Sequence, residues 1–180
     1  MLNPLPYHHE SSALMSASPE RVFALVDDHE RLSSHMSRSS WRMGGGHMTT
    51  TFDEGRGQCV GSHILISGHV LGLDLSLDEV VTQRDAPARK VWETVGSPRL
   101  LVIGPYQMGF DVTPCETGSL LRVFIDYALP SSWPARWLGR LFGGYYAQWC
   151  TQRMVNDAVG HFASGAEPSP AVSARGLEKS

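Results

Sequence analysis

The feature that most constrains this chain is one long helical stretch, residues 134–164, reached only after a succession of strand-like segments. Trp137, Leu138, Leu141, Phe142, Tyr145 and Trp149 recur at helical spacing and form one broad stripe. Such a stripe is expected to face a core. Counting on from Tyr145 leads to Trp149, Gln152 and Asn156, so two polar-tipped aromatics and two amides line up on or beside that side. An unsatisfied buried amide costs roughly 1–3 kcal/mol. Gln152 and Asn156 therefore belong either in a wet or ligand-filled cavity or at the edge of the stripe, reaching water.

A helix of this kind needs a surface to pack on, and the preceding sequence supplies strands. Leu71, Leu73, Leu75 and Leu77 alternate with Gly72, Asp74, Ser76 and Asp78. Leu121, Val123, Ile125, Tyr127 and Leu129 alternate against Arg122 and Asp126, which places Arg122 outside. Both are the period-two pattern of a strand with one apolar face. Strands are expected over residues 7–17, 47–54, 59–71, 73–83, 90–96, 100–112 and 120–129. The links between them are short and punctuated by Gly and Pro, as antiparallel hairpins require. Between the first two strands, Ser18-Pro19-Glu20 starts a short helix with Ser at the N-cap and Pro at its first position. Asp27-Asp28 caps a second short helix running to about Met36, and Gly44-Gly45-Gly46 marks a turn.

A strand, two short helices, six strands and one long helix make an α+β domain. A curved antiparallel sheet of about seven strands, wrapped around the C-terminal helix, would leave a cavity between them. At 180 residues the chain suits a single domain, 1–164, with a disordered tail at 165–180 rich in Pro, Ser, Ala and charge.

A net charge of −3 and scattered basic residues argue against nucleic-acid binding through phosphate contacts. No segment has the ~18 apolar residues of a spanning helix, and residues 1–10 lack a signal-peptide pattern. The expected location is cytoplasmic. Cys59, Cys115 and Cys150 are odd in number and far apart, as reduced structural thiols would be.

Four segments stand out together: Ser16-Ala17-Ser18-Pro19-Glu20-Arg21-Val22-Phe23, Glu79-Val80-Val81, Pro87-Ala88-Arg89-Lys90-Val91-Trp92-Glu93, and the strand 110–113 followed by Gly118-Ser119 and Leu121-Arg122-Val123. Taken with the long C-terminal helix, they resemble the START/polyketide-cyclase (SRPBCC) superfamily, whose helix-grip fold is shared with plant pollen allergens and lipid-transfer domains. The resemblance covers about residues 7–164. It implies an internal hydrophobic cavity for lipids, sterols, quinones or polyketides, and no shared catalytic set. Fold alone does not establish function.

The chemical motifs are sparse. The eight histidines show no metal-ligand spacing, so no metal and no cofactor is expected. Gly55-Arg56-Gly57-Gln58-Cys59-Val60-Gly61 misses dinucleotide-binding spacing by one residue and is read as a hairpin. His63 and His69 share strand parity with Leu65 and Leu71, and would supply an acid–base group if that parity faces inward.

The expected function is binding of a small hydrophobic ligand: a lipid, quinone or polyketide-like molecule. The alternative is a polyketide cyclase or dehydratase-like enzyme in the same cavity, with catalytic residues unknown. The candidate lining is Leu73, Leu75, Tyr106, Phe110, Tyr127, Tyr145, Trp149, Gln152 and Asn156, joined by Val123 and Ile125. Trp133-Pro134-Ala135-Arg136-Trp137 suits a transient membrane contact. Tyr146 and Cys150, read as outer members of the aromatic cluster, would join a partner helix in a homodimer.

Overall fold

The structure is a computed structural model that describes residues 5–28, 47–70 and 73–164. The expected second short helix beyond Asp28, the triple-glycine turn and the tail at 165–180 lie outside the described residues. The elements in chain order are β1 (Tyr7–Met15), α1 (Pro19–Asp27), β2 (His47–Phe52), β3 (His63–Val70), β4 (Leu73–Asp85), β5 (Arg89–Arg99), β6 (Tyr106–Cys115), β7 (Gly118–Tyr127) and α2 (Trp133–Ser164).

The seven strands form one antiparallel sheet in the order β1-β7-β6-β5-β4-β3-β2. Register shifts between Ser76 and Asp78 and between Val81 and Gln83 interrupt the β4–β5 ladder. Such irregularities bend a strand and raise its twist. Two strand starts differ most from the sequence expectation. β3 begins at His63, because residues 53–62 form a turn tied by Asp53, which accepts from the Ser62 hydroxyl (2.5 Å) and from the His63 N–H (2.7 Å). β6 begins at Tyr106, since the stretch after Leu100 is irregular.

Alternation assigns the inner face. Leu121, Val123, Ile125 and Tyr127 of β7 are all buried, opposite Val112, Phe110, Met108 and Tyr106 of β6. Arg122 lies on the outer face, as expected, where it pairs with Asp111 (2.8 Å) and Glu10 (2.9 Å). α1 closes one end of the core: Phe23 meets the Phe110 ring edge-on at 5.4 Å, and Trp92 does the same from β5 at 6.3 Å.

A buried ionic triad ties α1 to the sheet. Lys90 is fully buried and donates to Asp27 through its carboxylate (2.6 Å) and its backbone carbonyl (3.0 Å). Arg84 donates to the same carboxylate at 2.8 Å. Burial works against the Asp27 charge, but hydrogen bonds from Arg84 and Lys90 outweigh it and hold the carboxyl below its ordinary range. Burial lowers Lys90, against the pull of Asp27.

α2 packs along β1 and β7, but not on the stripe that helical spacing singled out. Its buried line is Gly139, Gly143, Ala147, Thr151, Val155 and Ala158, with Tyr146, Cys150, Met154 and Phe162 flanking it. Trp137, Leu138, Leu141, Phe142, Tyr145 and Trp149 are exposed. The reason is steric. A Cβ at Gly139 would lie 2.8 Å from the Val102 carbonyl oxygen, and one at Gly143 would lie 3.0 Å from it. Only residues without a side chain let the helix come this close, and the resulting contact outweighs burial of the larger stripe.

Candidate functional site

Two apolar clusters occupy the inner face. The larger one gathers β1, α1, β5, β6, β7 and α2. The smaller one consists of Ile64, Ile66 and Leu77 on β3 and β4. Leu100 and Tyr106 pack against both.

Glu79 sits at this junction. The inward parity of β4 runs Leu77, Glu79, Val81, and Glu79 faces the buried Ile64 on β3. Its exposure is 4%, so a carboxyl stands where the pattern calls for an apolar side chain. The Tyr106 hydroxyl donates to it, and the Trp92 indole N–H donates to it as well. Among the described residues it forms no ion pair. Burial pushes its pKa up to about 7, against the lowering effect of those two donors. The proton on Glu79 is therefore exchangeable at neutral pH.

α2 supplies the facing side. Tyr146 and Cys150 lie one turn apart on α2, and each acts on the other's ionisation. The Tyr146 pKa is raised well above its usual value, first by the thiolate that Cys150 would carry at equally high pH and then by burial; Glu79 also acts on it electrostatically. Burial pushes the Cys150 thiol up to about 12, which leaves it protonated and unreactive. Burial and the Glu79 charge raise Tyr106 well above its usual value. Glu79, Tyr106, Trp92, Tyr146 and Cys150 thus form one interior polar group between sheet and helix. It has a titrating carboxyl at one end and neutral donors around it.

The expected lining residues fall into two sets. Tyr106 reaches the junction through its hydroxyl, and Leu75 is half-buried on the same face of β4. Phe110 is fully buried in the larger cluster. Tyr127 is buried beneath the α2 glycines and stacks on Tyr7 at 5.2 Å. The Leu73 side chain lies outside the described residues. Tyr145, Trp149, Gln152 and Asn156, however, are exposed on the far side of α2. The rotation of the helix onto its glycine line carries all four away from the sheet. The same rotation turns Tyr146 and Cys150 inward, against their reading as members of a dimer surface.

The condition for a histidine acid–base group, an inward parity for His63 and His69, is not met. Ile64 and Ile66 carry the inward parity of β3, so His63, Leu65 and His69 point outward. His63 pairs with Asp78 at 2.9 Å and His69 with Asp74 at 2.9 Å, both on the outer face. Glu79 was missed, although a signal existed: it continues the inward parity of Leu71, Leu73, Leu75 and Leu77 before Val81. A carboxylate in phase with an apolar strand face is the legible mark of a special site.

No protein-family model matches the chain, and no curated protein sequence matches it. Solved structures do. The structure of Ara h 8.0201 superposes with a TM-score of 0.59 at 13% identity, covering 88% of this chain and 99% of that one. An Arthrobacter aurescens protein gives 0.59 at 12% identity, covering 94% and 93%. The chain has the helix-grip fold. A third helix grip, protein CV1439 from Chromobacterium violaceum, gives 0.54 at 14% identity, covering 86% and 98%. At such identities the helix grip itself is what is shared. Among the described residues, no helix of this one is long and apolar enough to cross a membrane.

Proposed function

We propose that the protein binds a small, largely apolar ligand between the concave sheet and α2, with Glu79 and Tyr106 at the ligand's polar end. The observation that carries this reading is the Glu79 carboxyl, buried where two apolar clusters meet and without an ion pair among the described residues. A solid core gains nothing from such a group, because burying a charge is costly and burying an acid still spends hydrogen bonds. A ligand with a hydroxyl, carbonyl or quinone oxygen gains an anchor that donates when protonated and accepts when ionised. Burial of a few hundred Å² of ligand surface, at ~25 cal/mol per Å², suffices for micromolar binding after ordering costs. Lipids, quinones and polyketide-like molecules all fit that chemistry.

A second reading rests on the same carboxyl. With a pKa near 7, Glu79 matches what general acid–base catalysis at neutral pH requires. A cyclase or dehydratase-like enzyme would use it to move one proton on a bound chain.

The test is native mass spectrometry of the protein purified from its own host, with identification of whatever is released. A near-stoichiometric apolar molecule is expected, bound more weakly by Tyr106→Phe and Glu79→Gln. An empty protein that also takes up no fatty acid, quinone or aromatic polyketide would sink the binding reading. Conversion of the released molecule by wild type, lost in Glu79→Gln while binding persists, would select the enzyme.

A further inference from the structure

The outer face of α2 carries an unusual surface. Trp133 (78% exposed), Trp137, Leu138, Leu141, Phe142, Tyr145 (72%) and Trp149 lie along its first half. Large apolar side chains exposed together on one element, rather than scattered singly over a surface, mark an interaction site. Arg136 and Arg140 are exposed in the same turns, and neither makes an ion pair among the described residues. From Asp126 to Asp157 the chain has no acidic residue, although its net charge is −3. Apolar and aromatic side chains flanked by arginine, on one side of a helix, suit the boundary between headgroups and acyl chains. The charge chooses among occupants. A second copy docked helix to helix would bring two acid-free, arginine-bearing faces together with no carboxylate to pair them. Residues 165–180 offer only Val172 and Leu177 as large apolar side chains, too few to cover this patch.

We propose that the outer face of α2, from Trp133 to Trp149, docks the protein onto an anionic lipid surface. Trp133, Trp137, Leu141 and Tyr145 enter the interface while Arg136 and Arg140 meet lipid phosphates. Each arginine near such a surface adds attraction that falls away with salt. This docking is independent of whether the grip holds a ligand, because it uses the opposite side of the helix.

The experiment is co-sedimentation of the full chain with phosphatidylcholine vesicles, with and without phosphatidylglycerol. Binding is expected to the anionic vesicles and to weaken with added salt. The double variant Arg136→Glu/Arg140→Glu should lower the partition coefficient at least about tenfold, and Trp137→Ser/Tyr145→Ser should do the same. All four positions are exposed, so an unchanged Tm confirms folding. No binding to anionic vesicles at low salt would overturn the proposal. So would binding that neither double variant weakens. A concentration-dependent dimer in analytical ultracentrifugation, abolished by Trp137→Ser, would also overturn it by assigning the face to a second copy.

Discussion

The Tyr106 phenol on β6 reaches across β5 to donate its hydrogen bond to the Glu79 carboxylate on β4. Two strands that do not touch are thus joined through the interior, beside the indole of Trp92 on the strand between them. The acid's proton responds to anything that changes this arrangement.

Stability should therefore depend on pH in an unusual direction. Glu79 titrates at about 7 in the folded protein, against 4.5 for an ordinary glutamate. The native state holds a proton that the unfolded chain releases between those values, so folding weakens as pH rises from about 4.5 and levels off above about 7. The loss is on the order of 3 kcal/mol. Denaturant unfolding from pH 5 to 8 measures it. Glu79→Gln should flatten that slope; an unchanged slope would show that the carboxyl ionises normally.

Tyr106→Phe removes a donor that favours the ionised carboxylate. The Glu79 midpoint should then move above 7, and the pH range of declining stability should move up with it. Carboxyl-carbon NMR titration reads this directly. A midpoint that stays or falls would mean the phenol does not act on the carboxylate.

Two glycines of α2, five residues apart, should respond oppositely to an added methyl group. Gly139→Ala places Cβ 2.8 Å from a backbone carbonyl that cannot move freely, and should cost about 1–3 kcal/mol. Gly144→Ala meets only ordinary contacts, the His9 ring at 3.4 Å and the Tyr127 hydroxyl at 3.8 Å, and should be neutral or stabilising by up to about 1 kcal/mol. Thermal melts of the two variants decide whether the close approach to Val102 sets the rotation of α2.

Asp27→Ala should be among the most damaging substitutions. It takes the carboxylate from the buried Lys90 and leaves that ammonium the Asp27 backbone carbonyl, at a cost of roughly 3–5 kcal/mol. Lys90→Met should cost less, because Arg84 still pairs with Asp27. Since Asp27 is held below its ordinary pKa, its contribution is present above about pH 4 and is lost as pH falls through the folded value. Equal destabilisation by the two substitutions would contradict this assignment.

The sheet was legible because period-two alternation survives translation into structure: the inward parity of β7 is the one its sequence shows. The rotation of α2 was not. Helical spacing identifies an apolar stripe, but it cannot weigh that stripe against a line of Gly139, Gly143 and Ala147 that lets two backbones nearly touch. That comparison needs the position of Val102, which is remote in sequence. The error carried Tyr145, Trp149, Gln152 and Asn156 to the wrong side, so Gln152→Leu and Asn156→Leu are now expected to leave stability within about 0.5 kcal/mol. Glu79 was readable in phase with its leucines, whereas its partner Tyr106 depends on how β4 to β6 curve. Lys90 likewise shares parity with Trp92, but only α1 explains how a lysine can be buried there.

Among the described residues, the first strand of the sheet pairs only with the last: Tyr7 lies opposite Tyr127. During synthesis β1 must wait for some 120 further residues before that neighbour exists, and α2, which rests on both strands, must wait longer still. Pairings so distant in sequence slow folding and prolong exposure of unfinished edges. A chain cut short anywhere before β7 lacks more than its missing residues: its beginning has nowhere to attach.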